Sequence, residues 1–142
     1  MTDTKKKVLF MVNMIIPLVL GLAIYLTKAE RTYISDVVPW FRSMISPVRY
    51  PLLIRAYACD FLWSYSLFFC FRLTLGEELK GRHNIVVVTL AAIISITLES
   101  LQLISGFPGR FDWLDIVTEL IAILVAYIIT TSIEWRVQHE EQ

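Results

Sequence analysis

The sequence predicts an all-α, polytopic membrane protein: a bundle of four transmembrane helices with an interfacial amphipathic segment between the first and the second. Three observations lead there. Hydrophobic residues make up 56% of the 142 positions and the mean hydropathy is +0.62, too apolar for an ordinary soluble domain. Four stretches, 8–27, 56–75, 85–104 and 114–133, have the ~20-residue length that a helix needs to cross a ~30 Å hydrocarbon core. Charge is balanced, with 13 Lys+Arg against 13 Asp+Glu, and no basic run extends beyond Lys5-Lys6-Lys7. That balance argues against a nucleic-acid partner and for membrane lipid.

The first stretch follows three lysines as a secretory signal would, but it exceeds the roughly 7 to 15 residues of a signal core and no A-x-A-like site follows. It is expected to stay as the first transmembrane helix. The connection after it, 28–55, is the longest, and carries Tyr33, Trp40, Phe41, Arg42, Arg49 and Tyr50. Within it, 34–45 mixes apolar and polar residues at near-helical spacing, interrupted by Pro39. This reads either as an amphipathic segment lying at the bilayer boundary, where Trp, Tyr and Arg are favoured, or as a partly ordered loop.

The second stretch contains both cysteines, Cys59 and Cys70, eleven residues apart on one helix and so ~16 Å from each other. Disulfide geometry needs Cα atoms within about 7 Å, so these two cannot be bridged and read as small packing residues. The third and fourth stretches are joined by 105–113, built around Pro108-Gly109, in which Pro sets φ at one central position of a tight turn and Gly supplies positive φ at the next. They should form an antiparallel hairpin. No internal repeat is visible, and the whole of 1–142 reads as one domain.

Lysines and arginines near helix ends orient the bundle. Lys5, Lys6 and Lys7, with Lys80, Arg82 and Arg136, place both termini in the cytoplasm, although Lys28, Arg31, Arg42, Arg49 and Arg55 then fall outside. In this orientation Asp60, Glu99, Gln102, Asp115 and Glu119 all lie towards the outer side. Arg72 lies at the opposite end of the second helix, where its stem can snorkel to the headgroups.

Ionisable side chains in membrane-length helices are costly unless paired or facing a polar cavity, so they are candidates for function. Ser95, Glu99 and Gln102 are spaced by four and three residues, and Asp112, Asp115 and Glu119 by three and four, so each trio forms one helical stripe. Hairpin partners would turn these stripes towards each other. Asp60, followed by Trp63 and Ser64, gives the second helix a similar face, and Arg110 in the turn could reach down as counter-ion. The predicted ligand-binding set is Asp60, Glu99, Gln102, Arg110, Asp112, Asp115 and Glu119.

Simpler roles compete at most of these positions. Asp112 is best read as the N-cap of the last helix and Asp115 complements its dipole. Gln102 can hydrogen-bond across helices, and Glu99 with Arg110 can equally be a fold-locking ion pair. Asp60 can pair with Arg55, whereas Glu119 has no basic partner in reach. Ala122, Ala126 and Thr130 continue the same stripe as packing residues. If the chain is an enzyme, Glu99 or Asp115 is the candidate acid or base, because no His accompanies the serines on the outer side. No cofactor or metal is required by the sequence; oxygen ligands alone would suit Mg²⁺ or Ca²⁺ rather than zinc.

The order Glu99-x-x-Gln102, a short turn with Arg110, then Asp112-x-x-Asp115 opening the last helix resembles the VanZ-like family of membrane proteins, named for a teicoplanin-resistance accessory protein. The resemblance covers about 60–133, and Asp60 is similar to an acid that opens an earlier helix in that family. Glu119 and Ile121-Ala122 depart from the Asn and Gly residues that family members often carry there, and the region of Trp63 replaces a usual His. The resemblance implies a small helical protein of the cell membrane linked to cell-envelope or glycopeptide phenotypes. Its expected partners are a cell-envelope precursor or a lipoglycopeptide. Three functions follow: recognition of such a ligand at the outer polar pocket, carboxylate catalysis on a lipid- or peptide-linked substrate, or a structural assembly role.

Overall fold

Large apolar side chains cover the outside of the molecule while charged and hydroxyl groups are buried within it. Val8, Val12, Ile15, Ile16, Val19 and Leu22 are exposed, whereas Ser64, Ser95, Glu99, Glu119, Thr130 and Arg72 are buried. Water as the only solvent would select the reverse, so the pattern fits a hydrocarbon surround. The computed structural model describes residues 3–29, 39–75, 83–106 and 109–140.

Among these residues the fold is entirely helical: α1 (Asp3–Thr27), a short α2 (Pro39–Met44), α3 (Leu52–Leu75), α4 (His83–Leu101) and α5 (Trp113–Glu140). Three helices, α1, α4 and α5, are long and apolar enough to cross a membrane. The remaining long helix, α3, is nearly as long as α1 but carries Arg55, Asp60, Ser64, Ser66 and Arg72. Its place in the bundle accounts for that polarity, because α3 packs against α1, α4 and α5 and so meets protein on several sides.

Phe68 and Phe69 of α3 are fully buried, and form the core with Phe10 of α1, Val87 and Ala91 of α4, and Ala122, Ile123 and Ala126 of α5. Phe69 stacks at a tilt against Phe10 and Tyr65, with ring centroids 5.7 and 5.1 Å away. The Tyr65 hydroxyl donates to Asn13 Oδ1 at 2.6 Å, a polar tie between α1 and α3 of the kind that joins helices in membranes. Gly21 lets those two helices approach closely: a Cβ there would lie 3.3 Å from Leu62 Cβ.

The interfacial segment expected at 34–45 is only partly described. Residues 39–44 form α2, with Pro39 at its first position, where a missing N–H costs nothing; 34–38 lie outside the described residues. The base of the long connection is pinned, because Val48 N donates to Thr27 O at 2.7 Å, Ala29 N donates to Val48 O at 3.0 Å, and the Thr27 and Tyr50 hydroxyls meet at 2.8 Å. Arg31, Pro108 and the whole connection between α3 and α4, 76–82 with Lys80 and Arg82, also fall outside the description.

Two expectations are corrected. The third helix ends at Leu101 rather than at 104, because the N–H groups of Gln102, Leu103 and Ile104 bond to carbonyls three residues back and the chain then reverses through Gly106, at φ +96°. Arg72 does not snorkel outward: it is 4% exposed, paired with Glu134 of α5, and its guanidinium lies 5.5 Å from the Phe10 ring centroid.

Candidate functional site

The turn between α4 and α5 is organised by one carboxylate. Glu99 is 5% exposed, and its two oxygens accept from Gln102 Nε2 at 2.6 Å and from the backbone N of Asp112 at 3.0 Å. Gly109 takes φ +121° beside this network, and any Cβ at that position would collide with the Gln102 carboxamide. Glycine is thus favoured by its backbone conformation, and a side chain there would require the end of Gln102 to move. Asp112 caps α5: its Oδ1 accepts from Leu114 N at 2.9 Å, and its carbonyl receives Asp115 N at 3.2 Å. The expected cap role is therefore formed, while the expected Glu99–Arg110 ion pair is not, since Arg110 is exposed and Glu99 is occupied by other donors.

Below this turn the stripes converge as the spacing suggests. Ser64 of α3 and Ser95 of α4 are both fully buried, with hydroxyl oxygens 3.0 Å apart. Glu119 of α5, one turn below Asp115, is 6% exposed and adjoins Ser64; its Oε2 is buried with no hydrogen-bond partner. Asp60 and Asp115 are partly buried, and the charges of Asp60, Glu99 and Asp115 all act on Glu119. Lys28 is the cation that acts on Asp60.

Six of the seven predicted residues thus gather at one end of the bundle, with Arg110 exposed at the turn. They divide by what their polar atoms do. Glu99, Gln102 and Asp112 satisfy one another and the turn backbone. Asp60, Asp115 and Glu119 make no ion pair among the described residues. Among those residues no group of three or more His, Cys, Asp or Glu side chains is arranged to hold a metal ion.

A second polar cluster was not anticipated. At the opposite end of the same helices, Glu134 accepts from Arg72 and, at 3.1 Å, from Asn84 Nδ2 of α4. The available signal was the stripe on α5: Glu134 lies four residues beyond Thr130, on the face that carries Glu119, Ala122 and Ala126. Comparison of the chain with family models, with curated proteins and with solved structures gives no match.

Proposed function

We propose that the chain is a VanZ-like integral membrane protein in which α1, α3, α4 and α5 all cross the bilayer, with both termini in the cytoplasm. In this reading the Asp60–Asp115–Glu119 cluster forms an extracytoplasmic pocket that recognises the amine of a cell-envelope component or of an amphiphile such as a lipoglycopeptide, with a role in teicoplanin-type resistance. The observation that carries it is the buried Glu119 oxygen without a hydrogen-bond partner, beside carboxylates that make no ion pair among the described residues. An unmet acceptor of this kind gains from a cationic donor far more than from another acid. Lys5, Lys6 and Lys7 at the far end of α1 support the orientation.

Binding is favoured over acid–base turnover through Glu99 because both of its oxygens are engaged in holding the turn. The test is binding of a teicoplanin-type lipoglycopeptide to purified protein in detergent, together with susceptibility of cells that carry each variant at equal membrane abundance. Asp60→Asn and Glu119→Gln should each weaken binding about tenfold, the loss of one charge-assisted hydrogen bond. Unchanged affinity and susceptibility in both variants would remove the assignment.

A further inference from the structure

Two adjoining apolar depressions lie between α1 and α3 and share Leu18 and Trp63. One, of about 360 Å³, reaches Tyr25 and Cys59; the other, of about 130 Å³, continues to Met14 and Cys70. From Cys59 to Cys70 the groove follows α3 for ~16 Å, close to the depth of one leaflet, half of a ~30 Å hydrocarbon core. The polar groups on its walls are satisfied from within: Cys59 Sγ donates to Gly21 O at 3.6 Å and the Ser66 hydroxyl to Leu62 O at 2.8 Å. An occupant needs no polar group along this depth.

The rim beyond Tyr25 and Cys59 is basic. Lys28 follows Tyr25 by three residues, its N–H continues the helical ladder to Ile24 O, and its Nζ lies 5.1 Å from the Tyr25 ring centroid. Arg55 precedes Cys59 by four residues, one turn further along the face of α3 that lines the groove, and is exposed. The two cations stand at one level. The helices are antiparallel, with Asn13 meeting Tyr65 and Gly21 meeting Leu62, where a Cβ on Gly21 would lie 3.3 Å from Leu62 Cβ. Lys28, seven residues after Gly21, and Arg55, seven before Leu62, therefore both lie ~10 Å beyond that contact. Lys28 also acts on Asp60, and these three groups together carry a net positive charge. The apolar groove between α4 and α5, about 390 Å³, has no basic residue in its lining.

We infer that the α1–α3 groove is a binding site for an anionic phospholipid, whose phosphate lies between Lys28 and Arg55 and one of whose acyl chains fills the groove. Charge selects the head. Each Lys or Arg at a membrane surface attracts anionic lipid, and a guanidinium can bond two phosphate oxygens in a fork. Shape and polarity select the tail, because walls that are apolar over a leaflet's depth suit a hydrocarbon chain, whereas the backbone of a peptide would be left unsatisfied there. No carboxylate lines the groove, so the lipid site meets the acid cluster only through the action of Lys28 on Asp60.

The test compares two phospholipid probes with the same diazirine-bearing acyl chain, one a phosphatidylglycerol and one a phosphatidylcholine. Each is added to the full chain in phosphatidylcholine nanodiscs, and labelled positions are mapped by mass spectrometry. The phosphatidylglycerol probe should label Leu18, Leu22 and Trp63 about tenfold more than its counterpart. Lys28→Gln and Arg55→Gln should each cut that preference about threefold, and the double variant should abolish it. Leu18→Trp, which fills the groove from an exposed position, should abolish labelling of Leu22 and Trp63 by either probe. Equal labelling by the two probes in the parent, or a preference that survives the double variant, overturns the site and leaves ordinary boundary lipid. Labelling indifferent to Leu18→Trp, or falling instead on Thr89 and Leu124 of the α4–α5 groove, overturns it as well.

Discussion

At one end of the bundle Arg72 of α3 is buried against Glu134 of α5 and Asn84 of α4; at the other, the same three helices bring together Asp60, Glu99, Asp115 and Glu119. The first cluster contains its own counter-charge and joins the three helices. The second holds acids, amides and hydroxyls with no ion pair among the described residues; a buried atom without a hydrogen-bond partner occurs at both ends, Glu119 Oε2 here and Arg72 Nε and Asn84 Oδ1 there. Buried charge is tolerated in a low-dielectric interior when it is paired. One end carries its own counter-charge, and the other, in the function proposed, receives one from a ligand.

The largest effect should come from breaking the lock. Arg72→Met leaves the partly buried Glu134 with Asn84 as its remaining hydrogen-bond partner, which should cost about 3 kcal/mol, the lower end for breaking a buried pair, and much of the folded yield in detergent. The double change with Glu134→Met should recover most of it, since a buried pair replaced by apolar groups is often nearly neutral. Recovery that fails would mean that the pair does more than hold the helices.

Within the acidic end, Glu99 should behave unlike its neighbours. Glu99→Ala strips acceptors from Gln102 and from the Asp112 N–H, and should lower thermal stability by about 1–3 kcal/mol. Gly109→Ala should cost about 1–2 kcal/mol, from positive φ and from the collision with Gln102, and the loss should shrink in a Gln102→Ala background. Asp112→Ala removes the α5 cap, worth about 1 kcal/mol in the same unfolding assay. If Glu119→Gln ranked among these losses, the division between turn and pocket would be wrong.

Much of this was legible in the residues. Apolar runs located the long helices to within a few positions at most ends, and four- and three-residue spacing put Glu99 with Ser95, and Glu119 with Asp115, on single faces. The cap at Asp112 followed from its place before an apolar run. Spacing along one helix does not determine which donor reaches a carboxylate, however. Glu99 is answered by a backbone N–H thirteen residues away and not by the arginine two residues nearer in sequence. Arg72 and Glu134, separated by 62 positions, meet only because of how α3 and α5 pack. Similarly, Gly109 announced a turn, but its contact with Gln102 depends on α4 ending early at Leu101.

The most direct measurement is thermal unfolding of the parent, Glu119→Gln and Arg72→Met proteins in one detergent, with and without a teicoplanin-type lipoglycopeptide. A ligand that binds only the folded state raises its stability as its concentration exceeds Kd. The account predicts that Glu119→Gln unfolds at or above the parent's temperature without ligand and loses the ligand-induced rise, whereas Arg72→Met is destabilised with or without it. An undiminished ligand-induced rise in Glu119→Gln, or destabilisation of that variant on the scale of Arg72→Met, would contradict the claim that the acidic end is a site and the Arg72 end a lock.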